Sequence, residues 1–98
     1  MEFGGYTPTD AFMNPHTRDE VCIFYFENGY GANIARGPYT YGGPKGLWEL
    51  AVTKKTRDGW NLCYDTPITH DVIGWLDELG VVKVLKRIED LPGKKAKR

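Results

Sequence analysis

The sequence predicts an α+β fold: two β-hairpins forming one antiparallel four-stranded sheet, with a C-terminal helical segment packed on one face. Three observations predict it. Residues 20–65 hold short runs of β-branched and aromatic residues, punctuated by Asn28–Gly29 and Asp58–Gly59. From residue 66 the apolar spacing changes to threes and fours. The chain has 98 residues, which is room for one small core and no second one. A single domain over 1–92 and a basic, disordered tail over 93–98 are expected.

Residues 1–19 carry Gly, Pro, Thr, Asn and Asp with scattered aromatics and hold no period. They read as an N-terminal arm, anchored by Phe3, Tyr6 and Phe12. Residues 20–27 (EVCIFYFE) are the first strand. Val21, Ile23 and Tyr25 share one face, and Cys22, Phe24 and Phe26 the other. A strand apolar on both faces is covered on both, so the arm or a second subunit is expected over the side away from the helix. Asn28–Gly29 is a two-residue hairpin signal, and residues 30–36 return as the second strand. Residues 37–46 (GPYTYGGPKG) form an irregular loop whose only large side chains are Tyr39 and Tyr41. Residues 47–54 are the third strand, with Trp48, Leu50 and Val52 on one face and Glu49 and Thr53 on the other. After a polar turn, residues 60–65 are the fourth, with Trp60, Leu62 and Tyr64 on one face and Cys63 opposite.

Residues 66–92 then read as helix. Thr69 is a good N-cap, Asp71 suits the first turn, and Ile68 with Ile73 fits a hydrophobic staple. Val72, Trp75, Leu76 and Leu79 make one stripe. Val81, Val84, Leu85, Ile88 and Leu91 make a second. Gly80 lies between them, so one kinked helix and two short helices fit equally. Pro92–Gly93 stops the run.

Lys plus Arg and Asp plus Glu both number 13, which argues against a wholly basic coat for nucleic acid. The charge is uneven, however. Setting aside the four cations of the tail leaves nine basic residues against thirteen acidic ones, so the body carries a formal −4. No apolar run approaches the roughly 20 residues that span a bilayer, so no membrane partner is expected. The first residues, Met1–Gly5, lack a basic and apolar leader pattern. That predicts a cytoplasmic chain with Cys22 and Cys63 as thiols rather than a disulfide.

The segments Phe26-Glu27-Asn28-Gly29-Tyr30-Gly31, Arg36-Gly37-Pro38-Tyr39, Tyr41-Gly42-Gly43, Gly46 to Val52, Leu62 to Thr69 and Asp71 to Leu76 resemble small, functionally unassigned proteins of tailed bacteriophages. The resemblance covers about half of the chain. It implies a phage-encoded protein acting in the host cytoplasm, and it implies nothing about catalysis.

Cys22, Cys63, His16 and His70 could ligate zinc, but no tight C-x₂₋₄-C or H-x₃₋₅-H pair is present, so no metal and no cofactor is expected. Cys63 with His70 and Asp65 or Asp71 could form a thiol triad, but a mid-strand cysteine more often packs a core. Gly42–Gly46 has phosphate-loop composition, but a strand follows it, not the helix N-terminus that phosphate binding needs. With no catalytic constellation above background, the chain reads as non-enzymatic. Two binding readings remain. In the first, a small phage accessory protein docks on a host bacterial protein and modulates it, using Tyr and Trp anchors. In the second, an aromatic sheet face and the tail, Lys94, Lys95, Lys97 and Arg98, bind nucleic acid. The expected contact residues are Arg36, Tyr39, Tyr41, Lys45 and Trp60, on a monomer or homodimer.

Overall fold

A run of antiparallel neighbours builds the sheet. In the computed structural model, which describes residues 2–93, five strands pair in chain order: β1 Asp10–Met13, β2 Glu20–Tyr25, β3 Tyr30–Arg36, β4 Trp48–Thr56 and β5 Gly59–Leu62. A sixth, β6 Ile73–Leu76, returns to β4. One helix, α1 Glu78–Glu89, packs on one face against β3, β4 and β6. The architecture is α+β with one antiparallel sheet and one helix. The sheet has six strands where four were expected.

Both additional strands correct the sequence reading. β1 lies within the expected arm. All four of its residues are exposed, so it has no hydrophobic alternation. It forms because the backbone of β2 has a free edge, in register from Asp10 opposite Ile23 to Met13 opposite Glu20. β6 occupies what reads as the first helical stripe. β4 is nine residues long, and β5 covers only its second half, from Thr53 to Thr56. The first half, Trp48 to Leu50, is left open, and Ile73–Leu76 closes it. Thr69 therefore caps no helix. Asp77 does, its Oδ1 accepting from the amide of Gly80 at 2.7 Å. Gly80 lies in the first helical turn rather than at a helix end.

The second stripe holds. Val81, Val84, Leu85 and Ile88 are all buried, with Leu91 just beyond the helix. They meet Cys22 and Phe24 of β2, Ala32 and Ile34 of β3, and Trp48, Leu50 and Val52 of β4. Each fully buried aliphatic side chain contributes about 1.5–3 kcal/mol relative to exposure.

The N-terminal segment joins this same face, not the opposite one. Gly4 and Gly5 both have positive φ, 56° and 93°, the requirement of a type I′ turn. The turn is closed by two hydrogen bonds of 2.9 Å between the backbones of Phe3 and Tyr6. It drives Phe3 fully into the core, edge-on to Trp48 at 5.3 Å and to Phe24 at 6.0 Å. Tyr6 packs edge-on to Phe26 and donates its hydroxyl to Glu89 Oε1 at 2.7 Å. Phe12 is no anchor, being 46% exposed. The other face of β2, with Val21, Ile23 and Tyr25, is only partly covered.

The β2–β3 hairpin forms where Asn28–Gly29 places it, but with three loop residues. Phe26 pairs with Tyr30, the amide of Gly29 donates to the carbonyl of Phe26, and of the loop residues only Gly29 has positive φ. This is a turn followed by a left-handed residue, not the two-residue loop. Asn28 is thereby turned inward and buried. Its Nδ2 donates to the carbonyls of Ile88, Glu89 and Leu91 at 2.8, 3.1 and 3.0 Å, and its Oδ1 accepts from the amide of Tyr30. A hairpin tip thus caps the end of a helix 60 residues away, satisfying carbonyls that the helix itself cannot. The tail residues 94–98 lie outside the described residues.

Candidate functional site

The expected contact residues divide between the two ends of the sheet. Arg36, Tyr39, Tyr41 and Lys45 belong to the β3–β4 connection. Trp60 is opposite Lys55, seven residues along β4 from Trp48. At about 3.3 Å per residue that is roughly 20 Å away.

The β3–β4 connection is tied down residue by residue. The Thr40 hydroxyl accepts from the amide of Gly37 and donates to its carbonyl, at 2.9 and 3.0 Å. The amides of Lys45 and Leu47 both donate to the carbonyl of Gly42 at 3.0 Å, closing a single 3-10 turn over Gly43–Lys45. Gly43 sits against the Gly37 carbonyl, where a Cβ would collide. Glu49 Oε1 accepts from the amide of Tyr41 at 2.9 Å. Arg36 is part of this framework. Its Nε donates to Glu20 at 2.7 Å, its guanidinium stacks 4.2 Å from the Trp48 ring, and Nη1 reaches the carbonyl of Gly46. The framework holds two aromatic side chains in solvent: Tyr39 is 90% exposed and Tyr41 61%. Lys45, in the same connection, is also exposed.

A third aromatic belongs here that the sequence reading placed in a helical stripe. The amide of Trp75 donates to the carbonyl of Tyr41 at 3.1 Å. β6 carries one more residue than its partner segment of β4. The extra residue lets Ile73 and Leu76 both pack on the core while Trp75 turns out, 59% exposed, at φ 61°. A left-handed conformation in a bulky residue costs about 1–2 kcal/mol, and such strain concentrates at functional sites. The signal in the sequence was Gly74 inside an otherwise apolar run, which marks a bulge as readily as a helix. Gly74 packs against Tyr41, with no room for a Cβ.

At the opposite end, Trp60 stacks on Tyr25 with ring centres 4.1 Å apart and planes within 19°. Beside it lies a groove of about 590 Å³ walled by Phe26–Tyr30, Lys54, Lys55, Trp60, Pro92 and Gly93.

The cysteine chemistry has a definite geometry. Both thiols are free and buried. Burial pushes the Cys63 thiol up, and its hydrogen bond to Asp65 Oδ1 at 2.9 Å pushes it further. The same bond holds the Asp65 carboxyl below its usual range. His70 turns away, with Nδ1 3.0 Å from the carbonyl of Tyr64. The nearest partner of the thiol is thus a carboxylate rather than an imidazole, the reverse of what a thiolate nucleophile needs. Burial also raises the Cys22 thiol. Among the described residues, no three His, Cys, Asp or Glu side chains gather as metal ligands, and no helix is long and apolar enough to cross a membrane. No protein-family model matches the chain, and no curated protein or solved structure matches it.

Proposed function

We propose that the chain is a protein-binding module without chemistry of its own, a phage accessory protein that docks on a host bacterial protein in the host cytoplasm and modulates it. The contact surface is the end of the sheet bearing Tyr39, Tyr41 and Trp75, with Lys45 at its margin. One observation carries the reading: three large aromatics stand in solvent on a backbone pinned by hydrogen bonds, one of them at strained φ. Tyr and Trp are the residues that dominate interface energies. A scaffold already rigid loses little entropy on docking. The phage and host part of the reading rests on the sequence resemblance.

The test is affinity capture from nuclease-treated bacterial lysate, comparing the native chain with a Tyr39→Ser, Tyr41→Ser, Trp75→Ser variant. A protein retained in stoichiometric amount by the native chain and by Lys86→Ala, but lost from the triple variant, is the expected result. Hot-spot residues contribute about 2 kcal/mol or more each, so the purified pair should weaken at least about 30-fold on loss of one aromatic. Equal retention by the triple variant would place the interface elsewhere.

A further inference from the structure

We infer that the groove between the β2–β3 hairpin tip and the β4–β5 end binds single-stranded nucleic acid, stacking a base on its aromatic wall and pairing phosphates with Lys54 and Lys55. This site is separate from the aromatic cluster at the other end of the sheet and does not depend on it.

The wall combines the two components such binding uses, flat π-surfaces and adjacent cations. Phe26, Tyr30 and Trp60 contribute the rings. Trp60 is backed by Tyr25 in a parallel stack, so its plane is fixed before any ligand arrives. Lys54 and Lys55 are consecutive on β4 and point to opposite faces. Both reach the groove because it wraps around the end of the sheet. Lys54 Nζ lies over the Tyr30 ring, 5.7 Å from its centre, and Lys55 Nζ over the Trp60 ring at 5.8 Å, so an incoming base takes the place of a mobile lysine head that then meets its phosphate. Neither is ion-paired among the described residues. Glu27 is the one acidic side chain in the lining. A volume of about 590 Å³ is within the range of about 300–1,000 Å³ typical of ligand sites.

Charge favours a polyanion over a peptide of mixed sign. The described chain reaches Gly93, itself part of the wall, and the sequence continues with Lys94, Lys95, Ala96, Lys97 and Arg98. A strand seated in the groove therefore passes the attachment point of four more cations. The backbone is built for this wall. Gly93 packs on the carbonyl of Asn28, where a Cβ has no room, and Asn28 is fixed to the end of the helix.

The experiment is fluorescence anisotropy with labelled ten-nucleotide oligo-dT and oligo-rA at low salt, on the full chain. Saturable binding is expected, with affinity falling linearly on a logarithmic salt scale. Neutralising two phosphates gives a slope of about −1.4 for a single strand, and the tail steepens it. Trp60→Ala should weaken binding at least about fivefold, the lower limit of one base–aromatic stack. Lys55→Glu, an exposed change that leaves the stack in place, should weaken it and flatten the slope. Absence of binding at low salt would overturn the proposal. So would binding that survives both variants and is lost only on deleting residues 94–98, because the groove would then play no part. Equal affinity for labelled poly-glutamate would also overturn it, by making the site one for acidic peptides.

Discussion

The two ends of the sheet use exceptional side chains in opposite ways. At the hairpin tip a polar residue, Asn28, is buried and makes hydrogen bonds to three carbonyls at the end of the helix and just beyond it, and to one amide. At the loop end three aromatics, Tyr39, Tyr41 and Trp75, stand in water. The first arrangement has a structural explanation complete within the chain. The second is held by the pinned loop and the β6 bulge, yet it leaves most of the apolar surface of the three rings in water. Function is to be sought at residues whose cost is not recovered by the fold itself.

Substitutions can break that contrast. Asn28→Ala should have the largest effect, about 1–3 kcal/mol, because it leaves the buried Leu91 carbonyl without its donor and takes one donor from Ile88. Thermal or denaturant unfolding measures it directly. Tyr39→Ser, by contrast, should stay within about 0.5 kcal/mol. A loss at Tyr39 comparable to that at Asn28 would erase the distinction between the two ends.

The strain at Trp75 sharpens it. Glycine adopts positive φ without penalty, so Trp75→Gly should be more stable than Trp75→Ala by about 1 kcal/mol, the reverse of their order in an ordinary strand. Equal stabilities would mean that the bulge relaxes in the alanine variant.

The smallest effect concerns Tyr6. Burial and the neighbouring Glu89 carboxylate push its hydroxyl up to about 12 from the ordinary 10. Below pH 10 the phenol is protonated in both folded and unfolded chains, and its bond to Glu89 contributes in full. Above pH 10 the unfolded chain ionises first, so stability should decline as pH rises to about 12. Tyr6→Phe should flatten that decline in unfolding curves taken between pH 9 and 12.

The sequence made the inner part of this molecule readable and its margins much less so. β2, β3 and β4 are β-branched and aromatic runs bounded by turn signals, and the face assigned to Trp48, Leu50 and Val52 is buried. Val81, Val84, Leu85 and Ile88 gave the helix. β1 and β6 were missed because each is four residues long and exists through a partner's unfilled edge. A local pattern does not record an edge. A short apolar run also fits helix or strand equally, which is how Trp75 came to be read as core. Gly4–Gly5 is a legible turn signal inside a segment that otherwise holds no period. Of the expected contact residues, Tyr39, Tyr41 and Lys45 are exposed on one hydrogen-bonded loop, Arg36 helps to hold it, and Trp60 belongs to the other end.

The Asn28 clamp also bears on how the molecule comes to exist. A chain emerging from the ribosome makes the hairpin tip long before the carbonyls at 88–91 that the tip must cap. Until then the amide of Asn28 stays hydrated, and Phe24, Ile34 and Leu50 lack the helix that covers them. The nascent sheet is therefore an exposed apolar surface awaiting its lid, the condition in which chains associate wrongly or engage chaperones. Docking of the last helical turn completes the core and the cap together, so the final dozen described residues convert a sticky intermediate into a finished fold.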